Sequence, residues 1–221
     1  MSAAGGPRIA LIHALAHSPA PMNAALARDW PEAVRMNLLD DSLSADLARA
    51  GAIDARMTQR FLDLAAYAVG TGAQAILFTC SAFGPCIEAV ARTHPGLPVL
   101  KPNEAMIDEA VALAAGTPIG LVASFAPTLA SMPAEFPPGA VLHTALAEGA
   151  MAALDGGDGA THDRLVADAA RSLAARGCQV IALAQFSLAR ARDAVAAATG
   201  LPVLTTPDSA VRRLREKLAP C

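Results

Sequence analysis

Two stretches of the chain about a hundred residues apart repeat one another, and they differ at the position best suited to chemistry. Ala73-Gln74-Ala75-Ile76-Leu77-Phe78-Thr79-Cys80-Ser81, running on to Gly96-Leu97-Pro98-Val99-Leu100, aligns with Cys178-Gln179-Val180-Ile181-Ala182-Leu183-Ala184-Gln185-Phe186, running on to Gly200-Leu201-Pro202-Val203-Leu204. Cys80 therefore aligns with Gln185. A thiol can take up or deliver a proton or attack a carbon, whereas an amide can only donate or accept hydrogen bonds, for example to a carboxylate or enolate oxygen. A helix is expected to follow Cys80, with Pro85 in its first turn. A helix N-terminus lowers a thiol pKa from its ordinary value of about 8.5, so the sequence predicts a lowered Cys80 pKa and thiolate near neutral pH. On position alone, a small buried apolar side chain is an equally good reading of this cysteine.

The other candidates are weaker. His13 and His17 bracket the loop after the first apolar run, where either could bind a carboxylate or tune Cys80, although a lone histidine is more often structural or exposed. Ser18, Ser81, Ser124, Thr128 and Ser187 offer hydroxyls and helix-start amides suited to an anion, and helix capping accounts for the same residue types. Cys86, inside the helix after Cys80, reads as packed, Cys178 aligns with Ala73 and reads as structural, and the terminal Cys221 reads as exposed. The four cysteines form no CxxC pair and meet no histidine at zinc spacing, so no metal site is expected. Lys101 reads as a surface cation beside Asn103.

The elements that must position these residues follow from apolar runs of strand length. These runs are Arg8 to His13, Ala33 to Leu39, Gln74 to Thr79, Pro98 to Leu100, Pro118 to Val122, Ala140 to Thr144, Gln179 to Ala184 and Pro202 to Leu204. Helical periodicity fills much of the space between them, as in Asp54 to Gly70 and Thr161 to Arg176, closed by Gly72 and Gly177. Alternating strand and helix predicts an α/β protein with parallel sheet. Ile9-Ala10-Leu11-Ile12 also resembles Ile119-Gly120-Leu121-Val122, which extends the repeat to two units of four strands each. The Gly-rich Asp155 to Gly159 reads as a loose surface loop, with Asp46 to Gly51 as its counterpart, and neither carries a phosphate-binding pattern. Ligands bind beyond the carboxyl ends of parallel strands. Four such ends are polar, His13 to Ser18, Thr79 to Gly84, Ser124 to Thr128 and Gln185 to Ser187, which predicts a cleft between the halves suited to a small carboxylate.

Composition narrows the function classes. With 54% hydrophobic and 17% charged residues in 221, the chain has ample material for a core. Aromatics are only 4%, too few for base-stacking platforms, and the net charge of −3 gives no basic field, so no nucleic-acid partner is expected. The Arg212-to-Lys217 block reads as the solvated end of a last helix, its cations near the negative end of the dipole. No apolar run reaches membrane-spanning length, and Met1 to Ala16 lacks the charged start of a signal peptide, reading instead as a disordered tip and a strand. A cytoplasmic protein with reduced thiols and no membrane partner is the expectation.

On these residues the chain resembles the aspartate/glutamate/hydantoin racemase superfamily, which includes arylmalonate decarboxylase and maleate isomerase. Thr79-Cys80-Ser81-Ala82-Phe83-Gly84 is similar to its first catalytic-cysteine motif, Gly120 to Thr128 to its carboxylate-binding loop, and Pro202 to Ala210 to the strand and helix closing the second half. The resemblance covers nearly the whole chain. It implies two pseudo-symmetric parallel-sheet α/β lobes, residues 1–102 plus 207–221 and residues 103–206, with the active site in the cleft between them. It further implies proton transfer next to the carboxylate of a small acid without pyridoxal phosphate or any other cofactor, with Cys80 as acid/base or nucleophile, and it is compatible with a homodimer. His13, Ser18, Ser81, Ser124, Thr128 and Ser187 are the substrate-binding candidates it suggests. Where the family has a second cysteine this chain has Gln185, which argues against two-base racemisation. Open alternatives are a single-cysteine decarboxylation, a maleate-isomerase-like addition at Cys80, another acid such as His13, His17 or Cys86, and a non-catalytic carboxylate-binding protein.

Overall fold

The computed structural model describes residues 5–16 and 18–219. The expectations for His17, for Cys221 and for the tip before Gly5 lie outside the described residues. The chain forms two compact units, one running to Pro102 and taking in the chain from Ala210 onward, the other spanning Asn103–Ser209.

The first unit contains β1 (Arg8–His13), α1 (Pro19–Asp29), β2 (Val34–Leu39), α2 (Ser42–Ala50), α3 (Ala55–Gly70), β3 (Ala75–Phe78), α4 (Gly84–Thr93) and β4 (Val99–Leu100). Its strands pair in parallel in the order β2-β1-β3-β4. The second unit contains α5 (Glu104–Ala114), β5 (Ile119–Ala123), α6 (Ala126–Ser131), β6 (Leu142–Leu146), α7 (Ala150–Asp155), α8 (Gly159–Ala175), β7 (Val180–Leu183), α9 (Arg192–Thr199) and β8 (Val203–Thr205). Its order, β6-β5-β7-β8, is that of the first sheet, and all of it is parallel. α10 (Thr206–Leu218) starts in the second unit and ends in the first. The class read from the alternation of strands and helices is thus the class observed.

The inner strands β1, β3, β5 and β7 are buried almost throughout, as expected for a sheet covered on both faces. Their near-continuous apolar sequences follow from that burial. The edge strand β2 instead leaves Val34 and Leu39 exposed. Asp54 caps α3 by accepting from the Met57 N–H at 2.7 Å, and Asp158 caps α8 in the same way from Thr161 at 3.0 Å. Gly72 and Gly177 follow these helices at φ of 85° and 86°, the left-handed conformation that turns the chain into β3 and β7.

Three local expectations are corrected. Asp46 to Gly51 is not a loop but the second half of α2, because Leu43 and Leu47, one helical turn apart, pack into the core and Gly51 only ends the helix. Gly156 and Gly157 form a short turn between α7 and α8, and Gly159 opens α8. The sixth strand also begins two residues later than its apolar run suggests, since a turn bonding the Ala140 N–H to the Pro137 carbonyl occupies the start of that run. Among the described residues no helix is long and apolar enough to cross a membrane.

Candidate active site

In the first unit an aromatic cluster fixes the end of β3. Phe61 of α3 is buried and stacks on Phe78 with ring centroids 5.2 Å apart, and it meets Phe83 at 4.9 Å. Cys80 lies between Phe78 and Phe83 in the chain and has extended backbone (φ −131°, ψ 116°), after which Ser81–Phe83 form one 3-10 turn and α4 begins with Pro85 in its first turn. The thiol is therefore separated from α4 by a turn. It is partly exposed and borders a recess shared with Ile12, His13, Ala14, Leu43, Phe61 and Phe78.

This setting reverses one expectation. Burial pushes the Cys80 thiol above its ordinary pKa, an effect that the polarity of the Ala82 backbone and the Ser44 side chain only partly offsets. The predicted lowering assumed a helix terminus aimed at sulfur, whereas apolar walls dominate here. Ser44, on α2, donates its hydroxyl to the Ala14 carbonyl at 2.9 Å.

His13 ends β1 with no solvent exposure. Its Nε2 lies 3.0 Å from Asn37 Oδ1, which can only accept, so Nε2 carries the proton and Nδ1 accepts from the Thr79 hydroxyl at 2.9 Å. Burial lowers the His13 pKa against the opposing effect of the Asn37 bond, which favours the neutral ring. Both nitrogens of this candidate carboxylate-binding residue thus brace β1 to β2 and to the end of β3. Ser18 is buried at the start of α1 without a side-chain capping bond, and Ser81 is exposed in the turn after Cys80.

In the second unit β7 ends as β3 does. Gln185 has extended backbone (φ −133°, ψ 147°) ahead of a 3-10 turn at Phe186–Ala191, and Leu188, fully buried, takes the place that Phe83 holds after Cys80. The Ser124 backbone N–H lies 2.7 Å from Gln185 Oε1 and the Ser124 hydroxyl 3.1 Å from it. An N–H can only donate, so the amide oxygen must face Ser124 and the Gln185 NH2 points elsewhere. This alters the expected anion cradle, because Ser124 spends its N–H and hydroxyl on Gln185. Thr128 and Ser187 are half-buried, in α6 and in the turn after Gln185 respectively.

The remaining cysteines among the described residues are packed. Cys86 is buried with its sulfur 3.6 Å from the Thr58 hydroxyl, and Cys178 is buried 3.6 Å from His143 Nδ1. Burial raises both thiols, as it does that of Cys80. Lys101 pairs with Glu88 at 2.7 Å on the surface. Among the described residues no group of three or more His, Cys, Asp or Glu side chains could hold a metal ion.

Comparison with known proteins places this architecture. No curated protein sequence matches the chain. Solved structures do match: an aspartate racemase homologue from Pyrococcus horikoshii aligns over 96% of this chain and 98% of its own, at a TM-score of 0.72 and 14% identity. Allantoin racemase from Klebsiella pneumoniae aligns over 97% and 88%, at 0.68 and 18%. A liganded variant of arylmalonate decarboxylase, with a glycine replaced by cysteine and a cysteine by serine, aligns over 98% and 94%, at 0.67 and 19%. At such identities these likenesses establish the fold. The family described as Asp/Glu/Hydantoin racemase matches residues 20–214, and the chain belongs to that family of isomerase/racemase enzymes.

Proposed function

We propose that the protein is a cofactor-independent enzyme that moves a single proton at the carbon next to the carboxylate of a small acid, with the Cys80 thiol as the proton-transfer group. The observation that carries this reading is the contrast between the two equivalent strand ends. One holds a thiol whose burial favours the protonated form, and the other holds an amide whose oxygen is tied to Ser124 and whose NH2 remains a hydrogen-bond donor. A protonated thiol is suited to act as a general acid toward an anionic carbon. An amide donor is suited to the oxygen of a carboxylate or enediolate and cannot replace a second base. Gln185 serves the substrate in that capacity, with Ser81, Thr128 and Ser187 supplying further donors.

The same observation favours one-sided chemistry, as in a decarboxylation that leaves an enediolate to be protonated, over inversion by two bases. In that step the bond to the departing carboxyl breaks and its electron pair forms the enediolate. The Cys80 S–H proton then forms the new C–H bond, and the thiolate regains a proton from solvent. A reducing compartment such as the cytoplasm keeps this thiol available.

The test is a screen of aspartate, glutamate, hydantoins, maleate and aryl malonates in deuterated water, following deuterium uptake and release of CO2. Turnover of one of them is expected, and Cys80→Ser should lower it by about a hundredfold or more while the fold and ligand binding persist. An unchanged rate in that variant overturns the assignment of Cys80.

A further inference from the structure

The turn that follows Gln185 is held differently from the turn that follows Cys80. Its first bond runs from the Leu188 N–H to the Gln185 carbonyl at 3.0 Å. Two residues on, Arg190 reaches α8. Its Nε–H donates to Asp163 Oδ1 at 2.8 Å and its Nη2 to Asp163 Oδ2 at 3.2 Å, a two-point grip on one carboxylate. Gly159, the first residue of α8, leaves room for this side chain, because a Cβ there would collide with the guanidinium. Asp163 is held in turn by His162, which has no solvent exposure and whose Nδ1 lies 2.7 Å from Asp163 Oδ1. Burial acts to raise the Asp163 pKa, but the hydrogen bonds from Arg190 and His162 hold the carboxyl below its ordinary value. An ionised carboxylate only accepts, so Nδ1 carries the ring proton and Nε2 the open lone pair. Nε2 is buried and has no hydrogen-bond partner among the described residues.

The repeat assigns this arrangement to the second half alone. Counted from Gly72 and Gly177, which precede β3 and β7, His162 stands where α3 has the buried Met57. Asp163 stands where α3 has Thr58, and Arg190 where the first unit has Pro85. The turn after Cys80 is secured instead by packing Phe83 on Phe61 of α3. A buried imidazole with one unpaired nitrogen is costly at a position that is apolar in the other half. The part of the ring that bonds is Nδ1–H, and that bond leads through Asp163 and Arg190 to the turn beginning at Gln185.

We propose that His162 is a positioning residue for Gln185, acting through Asp163 and Arg190 to fix the 186–191 turn so that the Gln185 amide oxygen stays on Ser124 and its NH2 keeps one direction. Arg190 is about half exposed, and an exposed ion pair by itself holds little. The buried N–H on the same oxygen fixes the Asp163 rotamer and gives the guanidinium a stationary target. The consequence for turnover rests on the reading of Gln185 as a hydrogen-bond donor to substrate, whereas the positioning itself does not.

The experiment is amide exchange followed by NMR in the full chain without substrate, read at the Ser124 N–H that bonds Gln185. The control is the Ala184 N–H, which bonds the Val122 carbonyl within the same sheet. His162→Leu and Arg190→Met should speed Ser124 exchange about tenfold, as expected for loss of a hydrogen bond to a charged group, and leave Ala184 unchanged. Arg190→Met alters a half-exposed side chain and tests the same link if the buried substitution folds poorly. His162→Asn, whose amide N–H falls near Nδ1, should stay near the parent, whereas His162→Gln, whose amide falls near Nε2, should follow His162→Leu. Unmoved Ser124 exchange in His162→Leu and Arg190→Met, an equal rise at Ala184, or His162→Asn behaving as His162→Leu overturns the proposal. Faster Ser124 exchange without turnover of any acid keeps the positioning role and removes the proposed reaction, and turnover with Ser124 exchange unmoved does the reverse.

Discussion

At position 185 an amide stands where the repeat and the family resemblance place a thiol, and what matters is which of its atoms remain free. Ser124 takes the oxygen, so what Gln185 offers is its NH2. Replacing it by cysteine removes the acceptor and restores a titrating group. Gln185→Cys is therefore expected to add exchange of the substrate's alpha hydrogen with solvent and loss of optical purity, followed by NMR in deuterated water and by polarimetry. If neither version exchanges that hydrogen while Cys80 remains essential for turnover, Gln185 does not act on the reacting carbon. The chemical difference between Cys80 and Gln185 was legible in the residue types alone. The bond to Ser124 was not, because it joins residues 61 apart in the chain.

The strands and long helices were largely readable because buried parallel strands must be apolar and amphipathic helices must be periodic. Where the reading missed, as in α2 and the start of β6, a short element depended on what it packs against. The repeat also conceals a difference in packing. Ala10 of β1 corresponds to Gly120 of β5, and a Cβ on Gly120 would come within 2.8 Å of Ile181 Cδ1 and 3.1 Å of Leu173 Cβ. The Ile181 methyl can move, but Leu173 Cβ is fixed to the backbone of α8. Gly120→Ala is thus expected to push α8 off the second sheet and cost about 1–3 kcal/mol. Chemical denaturation checks this, and a variant as stable as the parent would mean that α8 yields freely.

For the whole molecule, the family and the two-unit α/β architecture set the frame, and His13 shows how stability depends on pH. Its folded pKa lies below the ordinary 6.5. Above 6.5 both folded and unfolded states are neutral at this residue and its bracing bonds contribute in full. As the pH falls below 6.5 the unfolded chain binds a proton that the folded chain refuses, so stability drops by at most about 1.4 kcal/mol per pH unit until the folded pKa is reached. His13→Gln should remove that slope, as read from urea midpoints measured on either side of 6.5. A parent whose midpoint is level across that range would show that His13 titrates normally.

The sequence by itself determined the alternation of strand and helix, the duplication, the family, and the pairing of a thiol with an amide at equivalent strand ends. All of these rest on residue type and spacing along the chain. Only the tertiary structure decided that His13 is a neutral brace, that Ser124 is committed to Gln185, and that the thiol is pushed up. Each of those depends on desolvation or on partners brought together through space, such as Thr79 beside His13 across 66 residues. An apolar wall around sulfur disfavours its charge whatever helix follows in the sequence, and only packing shows where that wall stands.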